Sequence, residues 1–360
     1  MYNLLRSHFR RIVMQVNPLF EIDSAVKKQK QALAFNPNAD FFEWRKALKE
    51  KLNELLGMDA IATNACTPEL DIEEDEQKAG YRQIRFTFKS EENVVVPCYL
   101  LIPNGTKGKL PVAIVLQGHS TGFHRSIGVE KYPEDANHER AHHALQAIEQ
   151  GYIALAIENR GMGEQSVQNQ PDRRVHLGAR GGCYYSQMTS FLLGRTLIGE
   201  RCWDVSRAID VLCNFPECDT DKIMIMGGSG GGTVSYYAAC IDERIKISVP
   251  VVAFCPYADS ILKFYHCSCN YIPHAYKYFD MQDLAALIAP RKLIIINGKD
   301  DPSFLIDGAK RGYETVKAIY EKAGAKDECS FTITPFGHYW ANDIIFDKVN
   351  QETKKLGWLK

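Results

Sequence analysis

Ser229 stands in the run Met226-Gly227-Gly228-Ser229-Gly230-Gly231-Gly232, directly behind the apolar segment Ile223-Met224-Ile225. The pattern G-x-S-x-G, read through Gly227, Ser229 and Gly231, is that of a serine held on a sharp turn between a buried strand and a helix. Glycine is needed there because side chains on either flank would collide with the strand and helix. Such a pentapeptide arises by chance in on the order of one chain in ten of this length, so its context has to decide. Thr233 to Asp242 reads as the following helix, and the absence of a lysine in Gly231-Gly232-Thr233 argues against a phosphate-binding loop.

A serine hydroxyl becomes a useful nucleophile when a histidine accepts its proton and a carboxylate holds that histidine in one tautomer. Both residue types follow downstream at strand ends. The segment Arg291 to Asn297 reads as a strand running into Gly298-Lys299-Asp300-Asp301-Pro302. Cys329 to Thr334 reads as another, running into Pro335-Phe336-Gly337-His338-Tyr339-Trp340. Asp301 is the preferred acid, since the residue before Pro302 is biased to an extended backbone that can project its carboxylate over the strand ends. Asp300 stays open as its alternative, and Asp307 is a weaker one. For the oxyanion of a tetrahedral intermediate, the expected donors are the N–H of Gly230 and that of His119, with Ser120 the second choice for the latter. His119 follows the strand Pro111 to Leu116 in Gln117-Gly118-His119-Ser120. Its imidazole is expected to cap a turn, because no histidine or carboxylate lies at ligand spacing.

Together, Gln117-Gly118-His119, Glu158-Asn159-Arg160-Gly161-Met162-Gly163, Gly227 to Gly231, Asp301 and Gly337-His338-Tyr339 resemble the α/β-hydrolase superfamily, and within it the acetyl xylan esterase and dienelactone hydrolase branch. The resemblance covers roughly residues 80 to 360. It implies an α/β fold with a central, mostly parallel sheet of about eight strands flanked by helices, and carboxylester hydrolysis with Ser229, Asp301 and His338 carried over as the triad. Two positions depart from that pattern. Many relatives carry His-Gly where this chain has Gln117-Gly118, and dienelactone hydrolases use a cysteine where it has Ser229, which favours the esterase side.

The remaining segments must position these groups. Phe41, Trp44, Leu48, Leu52 and Leu55 recur at helical spacing up to Gly57, so residues 1–78 read as a helical extension docked on a hydrolase domain of residues 79–360. The acidic run Asp71 to Glu76 reads as a solvated link. Tyr81 to Lys89 and Val94 to Ile102 read as an antiparallel pair, Glu134 to Gln150 as a helix, and Tyr152 to Ile157 as a strand. Two insertions, 164–199 and 256–281, are expected above the active site, where such loops shape the entrance. Tyr257 and Tyr265 of the second, with Tyr339 and Trp340, are the expected substrate-binding residues. Arg195, Glu200, Arg201, Asp204 and Arg207 read as a solvated ladder or a tie between loop and core, with an anionic substrate group as the minority alternative for Arg195 or Arg201.

The chain has 360 residues, 45% of them apolar, enough for a large core, and a net charge near −1. No basic stripe points to nucleic acid and no apolar stretch of membrane-spanning length is present. The start shows no secretion signal, so a cytoplasmic location is expected. Eleven cysteines scattered through apolar segments suit reduced core thiols. Only His266-Cys267-Ser268-Cys269 resembles a cluster, and without two C-x-x-C pairs neither a metal nor any other cofactor is expected. The expected partner is a small-molecule or oligosaccharide ester, with the oligomeric state left open. A prolyl-oligopeptidase-like peptidase is the enzymatic alternative, although no repeats of propeller period are found. An inactive binding scaffold is the non-enzymatic one.

Overall fold

The computed structural model describes residues 19–136, 139–166 and 181–359. Its centre is a nine-stranded sheet in the order β1-β2-β3-β5-β4-β6-β7-β8-β9. The strands are β1 (Leu70–Gln77), β2 (Tyr81–Glu91), β3 (Val94–Pro103), β4 (Leu110–Leu116), β5 (Ile153–Ile157), β6 (Cys218–Gly228), β7 (Ile245–Val251), β8 (Lys292–Gly298) and β9 (Cys329–Thr334). The first three run antiparallel and join β5 antiparallel; from β5 to β9 every pairing is parallel. The mostly parallel sheet expected from the sequence is therefore present, one strand larger than expected.

Alternation of side chains along each strand divides the core into two layers. Val112, Ile114, Ile223 and Ile225 pack on one face with helices α2 (Phe41–Leu56), α6 (Leu197–Val211), α7 (Gly230–Ile241) and α10 (Ile306–Lys322). Ala113, Val115, Met224 and Met226 pack on the other, with α4 (His143–Glu149) and α11 (Asn342–Lys355). The remaining helices are α1 (Leu19–Lys28), α3 (Met58–Ala62), α5 (Gly181–Leu192), α8 (Ala275–Tyr278) and α9 (Ala285–Ile288). In α2, Phe41, Trp44, Leu48, Leu52 and Leu56 form the buried stripe. Asp40 caps its start, and Gly57, at φ 76°, ends it in the left-handed conformation.

Two segments differ from the sequence expectation. The acidic run Asp71 to Glu76 lies within strand β1, whose carboxylates pair with the basic residues of β2: Glu73 with Arg85 and Asp75 with Arg82, each at 2.6 Å. The N-terminal extension thus contributes an edge strand to the same sheet as the hydrolase body. The expected helix Glu134 to Gln150 is α-helical only over α4, with short 3₁₀ turns at Pro133–Asp135 and Glu139–Ala141. Asp135 holds this stretch in another shape, accepting the backbone N–H groups of Lys131 and Tyr132 and facing His124 Nε2 at 2.9 Å. In the first insertion a helix covers Gly181–Leu192, and residues 167–180 lie outside those described.

No helix among the described residues is long and apolar enough to cross a membrane.

Candidate active site

β6 ends at Gly228, and α7 begins at Gly230, leaving Ser229 alone on the turn with φ 54° and ψ −118°. This backbone is unfavourable for a residue with a side chain and survives because its surroundings hold it. Ser229 N–H donates to Val251 O at 2.9 Å, and Ser229 O accepts from Thr233 N–H at 2.9 Å. A β-carbon on Gly231 would stand 2.3 Å from Leu116 O, and one on Gly227 would stand 2.6 Å from the Gly231 carbonyl carbon. Glycine is thus required on both flanks of the serine by contacts with main chain, which cannot swing aside.

The loops after β4 and β9 meet this turn, and the end of β8 packs against the loop after β9, at the carboxyl ends of the parallel strands where α/β sheets place their sites. A β-carbon on Gly118 would lie 3.3 Å from Ser229 Cβ, so the loop after β4 passes directly beside the serine. A β-carbon on Gly228 would come equally near the ring of Trp340, two residues past His338. Gly298, at the end of β8, packs so tightly against Gly337 that no side chain fits between them. Asp301 Oδ2 lies 2.8 Å from His338 Nδ1, while Asp301 Oδ1 accepts the N–H groups of Ser303 and Phe304 at 2.8 and 3.1 Å. The Asp301 side chain is fully buried and that of His338 is 33% exposed, the arrangement of an anchored acid and a histidine open to a reactant. Asp300 is exposed. Phe304 stacks on the imidazole of His338 with ring centroids 6.0 Å apart.

His119 lies on the loop after β4, its ring against the Gly230 backbone. Gln117 is buried and fastens that loop from beneath, its Nε2 donating to Ser126 Oγ and Ala141 O at 2.6 Å each. The Glu158 carboxylate accepts from Phe123 and Glu164 N–H on the adjoining turn, and burial pushes its pKa up to about 8. The second insertion touches the start of α7, where Thr233 Oγ1 donates to Asn270 Oδ1 at 3.2 Å.

The four expected substrate residues separate. Tyr265 is exposed and Tyr339 partly so, with the Arg140 guanidinium 4.9 Å from the Tyr339 ring centre. Tyr257 and Trp340 are packing residues instead. Tyr257 is buried and its hydroxyl pairs with that of Tyr237. Trp340 is buried, donates to Gln146 Oε1 at 2.9 Å, and stacks on His143 at 3.9 Å. Burial brings the His143 pKa down to about 3, so that imidazole is a neutral core ring.

The charged group near α6 is a tie, and it is buried. Arg160 pairs with Asp204 at 2.6 Å and Glu91 at 2.7 Å, and Arg195 pairs with Glu91 at 2.6 Å and Glu200 at 2.9 Å. Arg201 turns away from these carboxylates toward Cys183. Spacing in the sequence does not reveal one further grouping: His119, Cys183, Cys267 and Cys269 bring their ligand atoms within 4.8 Å of one another.

Residues 15–335 match the model of the abhydrolase family. The chain belongs to that family. The matched span of this α/β-hydrolase holds Ser229 and Asp301 and stops just short of His338. The YtaP protein of Bacillus subtilis (strain 168), assigned as a hydrolase, is 27% identical over 254 residues, covering 68% of this chain and 78% of its own. Among solved structures, a protein of Bacteroides fragilis NCTC 9343 assigned as an acetyl xylan esterase aligns with a TM-score of 0.76 at 17% identity, over 93% of this chain and 95% of its own. A glucuronoyl esterase from Solibacter usitatus aligns with a TM-score of 0.64 at 15% identity, over 91% and 99%. At such identities these structures bear on the fold, which is that of the α/β-hydrolases.

Proposed function

We propose that this α/β-hydrolase is a serine carboxylester hydrolase that deacylates a carbohydrate or another small acyl ester, acetyl esters first among them. The observation that carries the reading is the pairing of buried Asp301 with His338 Nδ1 at 2.8 Å, supported by the positive φ at which Ser229 is held on the turn after β6. With Nδ1–H donating to Asp301, Nε2 is the nitrogen left to take a proton. Ser229 Oγ attacks the ester carbonyl as His338 Nε2 accepts its hydrogen, and Asp301 stabilises the imidazolium. The N–H groups of Gly230 and His119 receive the oxyanion, and His338 returns the proton to the leaving alcohol. Water then repeats the sequence on the acyl-enzyme. The choice of acyl group and alcohol rests on the likeness to proteins named as acetyl xylan and glucuronoyl esterases.

A fluorophosphonate probe tests the nucleophile: the wild type is expected to be labelled at Ser229, and S229A to take no label. An unlabelled wild type would mean an inactive scaffold. Acetylated xylan, acetylated oligosaccharides, short-chain acyl esters, glucuronate esters and a prolyl peptide substrate then separate the substrate classes. Cleavage of the peptide alone would replace the esterase reading with the peptidase one.

A further inference from the structure

We infer that His119, Cys183, Cys267 and Cys269 form a closed tetrahedral site for one zinc ion, which fastens three separate segments at the rim of the candidate active site. His119 comes from the loop after β4, Cys183 from the first turn of α5, and Cys267 and Cys269 from the second insertion. His119 Nε2 lies 3.1 Å from Cys269 Sγ, and Cys269 Sγ lies 3.4 Å from Cys267 Sγ. Zinc bound at about 2.3 Å to sulfur and about 2.0 Å to nitrogen would separate tetrahedral ligand atoms by roughly 3.5–3.8 Å. The four donors are therefore gathered at nearly the spacing that one ion imposes. Three soft sulfur ligands and an imidazole favour zinc over the hard, oxygen-seeking cations.

The charge around the cluster agrees. Arg201 is completely buried and makes no ion pair with a carboxylate among the described residues. Two of its nitrogens donate to Arg160 O at 2.9 and 2.6 Å, and Nη2 reaches Cys183 Sγ at 3.3 Å. A buried guanidinium needs a counter-charge. Zinc with three thiolates and one neutral imidazole carries a net charge of −1, which Arg201 balances from outside the ligand shell. Neutral thiols alone would leave that guanidinium uncompensated. With four protein ligands the ion keeps no open position, so its role is that of a fastener. It would fix the main chain of His119 beside Gly230 and close the second insertion over the elbow. The assignment does not depend on the esterase reading.

The test is metal analysis of the full-length protein, expressed with added zinc and purified under reducing conditions without chelators. One zinc per chain is expected in the wild type and in C213S, whose exposed cysteine lies outside the cluster. C183S and C269S are each expected to lose at least ten-fold in bound zinc. Cobalt exchanged into the wild type should show thiolate-to-metal charge transfer and the intense visible bands of tetrahedral coordination, a readout that does not require any variant to fold. Under one-tenth of a zinc per chain after reconstitution with zinc alone would overturn the proposal. So would unchanged zinc in both variants, or a cobalt spectrum without thiolate bands. A thiol count of the denatured, unreduced protein that falls two short of eleven would also overturn it, by showing a disulfide in place of a metal site.

Discussion

Asp300 and Asp301 are neighbours of identical chemistry, and the backbone alone separates their roles. Asp301 is buried against His338 and receives two backbone N–H groups, whereas Asp300 faces solvent. D301N is therefore expected to lower kcat on a short-chain ester by about 10⁴, because an amide at that position favours the wrong imidazole tautomer. D300N should stay near wild type, and a reversed order in the two rates would reassign the acid. Among the aromatic residues, the sequence shows only that Tyr339 and Trp340 follow the candidate histidine and that Tyr257 and Tyr265 lie in the second insertion. Trp340 and Tyr257 both have a polar edge that a substrate could use, but Gln146 and Tyr237 already occupy those edges in the core.

Helix α2 illustrates what local pattern can establish. Its stripe from Phe41 to Leu56, its Asp40 cap and its Gly57 stop all lie within one short stretch of chain. Leu48 is fully buried, and L48A should cost about 2–5 kcal/mol in urea denaturation through the cavity it leaves. Gly57→Ala combines two penalties. The left-handed backbone costs a residue with a side chain roughly 1–2 kcal/mol, and the new β-carbon would sit 2.2 Å from Gly194 O, forcing the main chain ahead of α6 to move. A midpoint unchanged from wild type would show that this junction is loose. Strand β1 is the opposite case. A run of aspartate and glutamate has little intrinsic preference for a strand, and here its carboxylates pair with Arg82 and Arg85 of the neighbouring β2.

The molecule as a whole closes around β8 and β9, where α11 returns to the sheet. Glu352 of α11 is buried and contacts Lys292 of β8 at 2.9 Å and Lys355 at 2.9 Å. Burial would push its pKa up, but Lys355 and Lys292 outweigh that and bring it from an ordinary 4.5 down to about 2. A carboxyl group with a lowered folded-state pKa adds stability above its unfolded value and loses it as pH falls through its folded value. E352Q should accordingly lie below wild type in Tm at neutral pH, and the gap should close between about pH 4.5 and pH 2. A gap independent of pH over that interval would mean the ion pairs contribute nothing. The sheet, the serine turn and the positions of the candidate acid and histidine after its strands were legible in the sequence, because each is a local pattern of glycine, strand and turn in a recognisable order. The pairing of β1, the burial of the α6 charges, the withdrawal of Tyr257 and Trp340 into the core and the meeting of His119 with three distant cysteines were not. The last three depend on which distant segments become neighbours, a long-range packing outcome that no short stretch of residues encodes, and the first on charge pairs across a hairpin that override the low strand preference of an acidic run.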